Sequence, residues 1–142
     1  SCTGCQNKYE SASLENRDYA TEIDIAINDN QAYVFEFTIA DLTEYNGASE
    51  GLLDTNVYIC ASTGLENAMQ MYYDENNRQL DIGHVKSIKI YSEDKERLYE
   101  FAREISEMPM IAKSVSVSLN ESQGGYREIL LRELIKEAYT WE

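Results

Sequence analysis

Two neighbouring segments alternate apolar and polar residues with a period of two, and no other feature of this chain limits its fold more tightly. In the first, Ile23, Ile25 and Ile27 alternate with Glu22, Asp24 and Ala26. In the second, Tyr33, Phe35, Phe37 and Ile39 take one side of the stretch Ala32 to Ala40. Successive side chains of a strand point to opposite faces, so this pattern reads as two strands with one buried face each. Between them lies Asn28-Asp29-Asn30-Gln31. Asn and Asp tolerate left-handed backbone, which makes the cluster a turn and the pair an antiparallel hairpin.

The pattern then changes character. Val57 to Ala61 is apolar on both faces, as expected of a central strand. Thr63-Gly64-Leu65-Glu66 reads as a capping box, in which Thr63 accepts from the backbone and Glu66 reaches back. Leu65, Ala68, Met69 and Tyr72 follow at helical spacing until Asn76-Asn77. Val85 to Tyr91 is the next strand, and Ser92-Glu93-Asp94 opens a second helix with acid at its positive end. Leu98, Phe101, Ala102, Ile105 and Met108 are that helix's apolar stripe, and Pro109 stops it. Val115, Val117 and Leu119 alternate with serines as a last strand, and Gly124-Gly125 precedes a helix from Tyr126 to Trp141.

The expected fold class is therefore α+β, with elements ordered β-β-β-α-β-α-β-α. It is a single mixed sheet with an N-terminal antiparallel hairpin, two βαβ crossovers and helices packed on at least one face. The serines of the last strand are left free to face solvent. Residues 1–13 read as a flexible tether and 14–142 as one globular domain, an ordinary size for a single core. Residues 41–54, with Asn46-Gly47 and Gly51, read as a loop long enough to be functional.

Charge narrows the partners. Twenty-six acidic residues stand against 12 basic ones, a formal net charge of −14. Nucleic acid is disfavoured, because its phosphates would be repelled. Anionic headgroups are disfavoured for the same reason, so a membrane location requires a covalent anchor or a partner. The charge itself reads first as a solubilising surface.

The opening Ser1-Cys2-Thr3-Gly4-Cys5 supplies a candidate anchor. Small residues before a Cys, then a polar stretch, match a bacterial lipoprotein processing site in which the thiol takes the lipid. Cys5 is the expected attachment point and Cys2 the alternative. A diacylglycerol thioether holds a protein through two chains, at ~0.8 kcal/mol per buried methylene. The segment from Cys5 to Ser13 would reach roughly 30 Å at ~3.3 Å per residue. The Cys2/Cys5 pair also has the spacing of a redox or metal motif, but no helix N-terminus or second ligand pair accompanies it. Cys60, inside the apolar run, reads as a small buried hydrophobe.

Three further features invite a functional reading. His84 could titrate or bind metal, but a His after Gly at a strand entry more often donates to a carbonyl and fixes a turn, which makes Gly83, His84 and Lys86 a candidate structural turn. The last helix carries a wide apolar arc that includes Leu131, Ile135 and Trp141. Such an arc is either well buried or a seam for a partner, and these three residues are the candidate interface. Tyr33, Phe35 and Tyr58 are the candidate walls of a pocket if the chain binds a small ligand by itself. No nucleophile–base pair is evident, so no catalytic residue, metal or cofactor is assigned and the chain is not expected to be an enzyme.

Taken together, these motifs resemble the N-terminal domain of the Ger(x)C family, the lipoprotein C subunits of bacterial spore germinant receptors. Gly4-Cys5, then Glu15-Asn16-Arg17-Asp18, then Thr21-Glu22-Ile23-Asp24-Ile25 follow that family's order. Tyr33-Val34-Phe35-Glu36-Phe37-Thr38-Ile39 looks like its second strand. Ser62 to Ala68 looks like its cap and first helix, and Leu80-Asp81-Ile82-Gly83-His84-Val85-Lys86 like its Gly-His-x-Lys turn. The resemblance spans nearly the whole chain up to Asn120. It implies a non-catalytic subunit, lipid-anchored on the outer face of the cytoplasmic or inner spore membrane. The implied role is scaffold or signalling partner of integral-membrane receptor subunits. A free-standing envelope lipoprotein that binds a small ligand is the alternative.

Overall fold

In the computed structural model, residues 16–29, 32–41 and 54–141 are described. Cys2, Cys5, the tether, Asn30-Gln31 of the first turn and residues 42–53 of the long loop lie outside them.

The alternating segments form the expected hairpin. β1 (Arg17–Ile27) pairs antiparallel with β2 (Tyr33–Asp41), placing Ile23 beside Phe37 and Ile25 beside Phe35. β2 pairs antiparallel with β3 (Asp54–Ser62). The chain continues through α1 (Leu65–Asn76), β4 (Gln79–Asp81), β5 (Ser87–Ser92), α2 (Lys95–Ser106), β6 (Ser116–Glu121), β7 (Gly125–Leu130) and α3 (Leu131–Thr140). The sheet is mixed, with spatial order β3-β2-β1-β5-β6-β7 and β4 beside the start of β1. Two βαβ crossovers carry the chain from β3 to β5 and from β5 to β6, and β5 runs parallel to both β1 and β6.

Two strands exceed the expected order, each for a local reason. β4 is three residues long, too short for a periodicity to register. It pairs with Arg17–Tyr19 until a bulge between Ala20 and Glu22, after which β5 takes over as β1's neighbour. β7 occupies residues expected to open the last helix. A three-residue loop joins β6 to β7, and Gly125 closes it at φ +77, a backbone region glycine enters without strain. Arg127 and Ile129 then face the helices while Tyr126, Glu128 and Leu130 face away, so α3 begins only at Leu131.

Helix boundaries follow the chemistry at their ends. Asp94 caps α2 by accepting from the Arg97 N–H at 3.1 Å. Asn77 ends α1 in the left-handed region, its N–H donating to the Tyr73 carbonyl at 2.8 Å. The expected Thr63–Glu66 capping box does not form. Glu104, in the last turn of α2, accepts from the Leu65 and Glu66 N–H groups at 3.0 and 3.1 Å. A carboxylate from another helix thus satisfies two orphan donors and meets the positive end of the dipole. Gly64 permits this approach, since a Cβ there would lie 2.9 Å from both Glu104 oxygens.

The three helices of the described residues pack on one face of the sheet. The core there joins Ile23, Ile25 and Ile27 to Phe35, Phe37, Ile88, Ile90, Val117 and Leu119, and to Leu98, Phe101 and Ile105 of α2. Phe35 stacks on Phe37 at 5.8 Å and meets Phe101 at 6.0 Å. Aromatic contacts of this kind add about 0.5–1.5 kcal/mol each beyond buried area.

The candidate functional site is the uncovered face of the sheet

Among the described residues, no helix lies over the side chains of opposite parity. Reading across β3, β2, β1, β5, β6 and β7, one row is Ile59, Glu36, Asp24, Lys89, Ser118, Glu128. The next row is Ala61, Val34, Ala26, Tyr91, Asn120, Tyr126. Val57 and Ile59 are 54% and 60% exposed here, and Tyr91 and Tyr126 are 45% and 64% exposed. Val57 and Ile59 therefore do not mark a central strand, as their two-sided apolar pattern implies. β3 pairs only with β2 among the described strands and stands at the edge. An exposed apolar edge of this kind is a surface that asks for cover.

The register also shapes the face. Ala26, Ser118 and Asn120 are short, so a concavity of about 420 Å³ forms over them, with Asp24, Val34, Glu36, Lys89, Tyr91 and Tyr126 around it. Ionisation is unusual at Asp24. Burial raises the Asp24 carboxyl to about 7, aided by a hydrogen bond to Glu22 and by the charges of Glu22 and Glu36, with Lys89 opposing. Asp24 Oδ1 is buried and finds no hydrogen-bond donor among the described residues. Glu22 moves the other way. Its pKa is lowered, first by the hydrogen bond from Asp24, then by the Ser87 hydroxyl at 3.0 Å and by Lys89 at 3.5 Å. Near neutral pH the two carboxyls thus share one proton. At the far side, the Ser118 and Tyr126 hydroxyls each donate to Glu128 Oε1 at 2.6 Å and lower its pKa.

The residues singled out from the sequence lie elsewhere. Gly83, His84 and Lys86 form the turn between β4 and β5, on the side of the β1 bulge. Asp81, not His84, holds this turn. Its carboxylate accepts from the Gly83 N–H at 2.8 Å, while the Lys86 N–H donates to the Thr21 carbonyl at 2.9 Å. His84 is exposed and rests on the Tyr19 ring, 5.3 Å between centroids, and among the described residues no carbonyl accepts from it.

The apolar arc of α3 is largely internal. Leu131 is 0% exposed and belongs to the core, which removes it from the candidate interface. Ile135 packs partly buried against that core, and Trp141, still 44% exposed, leans on the Tyr99 ring of α2 at 5.4 Å. Arg103 of α2 donates to the Ala138 carbonyl at 2.9 Å, so α2 takes much of the surface that the arc offers. The candidate pocket walls belong to the core or pack against it. Tyr33 and Phe35 are buried, and Tyr58 meets Tyr72 edge-on at 4.9 Å, all on the helix-covered side. Cys60 is buried there as expected, and burial raises its thiol pKa.

Asp24, Tyr91, Tyr126, Val57 and Ile59 were not singled out from the sequence. The first three sit at the polar or mixed positions of alternating strands, which normally mean only solvent. Among the described residues no three His, Cys, Asp or Glu side chains converge as a metal-binding group, and no helix is long and apolar enough to cross a membrane. No family model, curated protein or solved structure matches this chain.

Proposed function

We propose that this domain is a non-catalytic docking subunit, held at a membrane surface by lipid on Cys5, with a protein partner engaged through the uncovered sheet face. The observation that carries the docking reading is the exposure of Val57, Ile59, Tyr91 and Tyr126 on that one face. Aromatic and aliphatic side chains grouped on a surface that no described helix covers are the composition of an interface core. The anchor and the setting rest on the sequence. The Gly4-Cys5 site and the resemblance to Ger(x)C N-terminal domains make integral-membrane receptor subunits the partners. They support a setting on the outer face of the cytoplasmic or inner spore membrane.

The test is made on the full-length protein with its own signal, expressed in a Gram-positive host. A photo-crosslinking residue at position 59 and, separately, one at exposed Glu66 on the helix side report which face is covered. We expect partition into the detergent phase, and crosslinks to a membrane protein from position 59 only. Aqueous partition would remove the anchor, and equal crosslinking from both positions would remove the docking face. The second reading, a lipoprotein binding a small ligand by itself, draws on the 420 Å³ concavity. A thermal shift with a metabolite panel, in the absence of any protein partner, would favour it.

A further inference from the structure

We infer that the concavity on the uncovered face is a cation–proton exchange site that seats an arginine or lysine side chain from a basic segment of the docked protein. This deepens the docking reading and rests on it. Shape comes first. Tyr91 and Tyr126 lie on β5 and β7 with only Asn120 of β6 between them, so their backbones stand about 10 Å apart at ~4.8 Å per strand. A planar guanidinium or an ammonium lying above Asn120 is within the ~6 Å at which a ring face attracts a cation.

Charge decides the sign of the occupant. Asp24 and Glu36 border the concavity with one base, Lys89, which already faces Glu22. An anionic ligand is repelled there, and a second copy of this chain would bring acid against acid. The Asp24 carboxyl adds a second reason: it lines the concavity, its Oδ1 has no donor among the described residues, and a guanidinium or ammonium N–H supplies one. The two Tyr walls favour an organic cation over a bare metal ion.

Extent decides between a free amine and a protein segment. Ile59 and Tyr126 lie at opposite ends of the face, five strand spacings apart, about 24 Å at ~4.8 Å each. A small amine in the concavity leaves Val57 and Ile59 uncovered. An extended segment of about seven residues, at ~3.3 Å per residue, covers both ends.

The exchange step balances simply. With the proton on Asp24, the arriving cation forms a charge-assisted hydrogen bond to the carboxylate, the Asp24 O–H bond breaks, and the proton leaves to solvent. Burial first, then Glu22 and Glu36, favour retention of the proton and Lys89 favours its loss, so the balance sits near neutrality. Binding therefore weakens as the pH falls through about 7.

The experiment is an amide-resolved NMR titration of the folded protein with three probes: acetyl-arginine amide, acetyl-citrulline amide, and the heptapeptide acetyl-Val-Ser-Val-Ser-Arg-Ser-Gly amide. We expect acetyl-arginine amide to shift the amides of Ala26, Tyr91 and Asn120, and citrulline to bind at least ten-fold more weakly. The heptapeptide should bind at least ten-fold more tightly than acetyl-arginine amide. Wild type should bind at least five-fold more weakly at pH 5.5 than at pH 8. Asp24→Asn, checked by an otherwise unchanged spectrum, should bind weakly at both. Equal binding of citrulline, or pH-independent binding by wild type, overturns the cation–proton site. A heptapeptide no tighter than acetyl-arginine amide overturns the protein segment in favour of a small amine. If these fail while position 59 still crosslinks to a membrane protein, the docking face stands and only its cation chemistry falls.

Discussion

The two faces of the sheet are made by the same strands in the same register, yet they differ in almost every physical respect. On the helix side, Ile25, Phe35 and Ile90 are buried with Leu98 and Phe101 in one continuous core. On the other side, the same three strands present Asp24, Glu36 and Lys89 to a shallow concavity. The covered face owes its stability to apolar area removed from water, at about 25 cal/mol per Å². The uncovered face keeps aromatic and aliphatic surface in water and holds a carboxyl against its preference to ionise. A surface under those conditions contributes little to folding.

The sharpest break of this contrast is a matched truncation. Phe35→Ala should cost ~3–5 kcal/mol, as large-to-small changes in packed cores do. Ile59→Ala, on the other face, should stay within about 0.5 kcal/mol. Urea unfolding of the two variants measures both, and similar losses would mean that the second face is covered after all.

The helix-side layer also depends on one carboxylate. Glu104→Ala leaves the Leu65 and Glu66 N–H groups without a partner, and should cost ~1–2 kcal/mol, the range of a lost helix cap. Hydrogen exchange at those two amides should rise selectively. Unchanged protection there would show that Glu104 does not hold α1.

A smaller effect distinguishes the faces by pH. The Asp24 carboxyl, ordinarily near 3.8, is raised to about 7 in the fold. Between those values the native state holds a proton that the unfolded chain has released, so this group's contribution to stability is lost as pH rises toward 7. Asp24→Asn should remove that loss. The melting temperature of the variant relative to wild type should be higher at pH 8 than at pH 5, and a constant difference would contradict the shared proton. Smallest of all, His84→Ala should change stability by no more than about 0.5 kcal/mol, because Asp81 holds the turn.

The fold was largely legible and the candidate site was not, for connected reasons. The alternation of Ile23, Ile25 and Ile27 against Tyr33, Phe35 and Phe37 specifies a hairpin, since a one-residue slip would turn the whole apolar set outward. The stripe from Leu98 to Ile105 specifies α2 in the same way. The segment Tyr126 to Leu130 was ambiguous, because Ile129 and Leu130 fit the helical stripe that continues through Leu134 as well as they fit a strand. Only pairing with β6 resolves it. Val57 and Ile59 misled for a similar reason: apolar residues on both faces describe a buried strand equally well as an edge strand with a surface to be covered.

Local pattern by itself determined which residues turn inward, where helices and strands alternate, and hence the α+β class of this protein. It could do so because burial is written into each strand and helix with a short period. Tertiary structure alone decided that the described helices all lie on one side, that Glu104 caps a helix 38 residues away, and that Asp24 lies between Glu36 and Lys89 beside a concavity. Those outcomes depend on strand order and register between distant segments, and no short period in the chain encodes them.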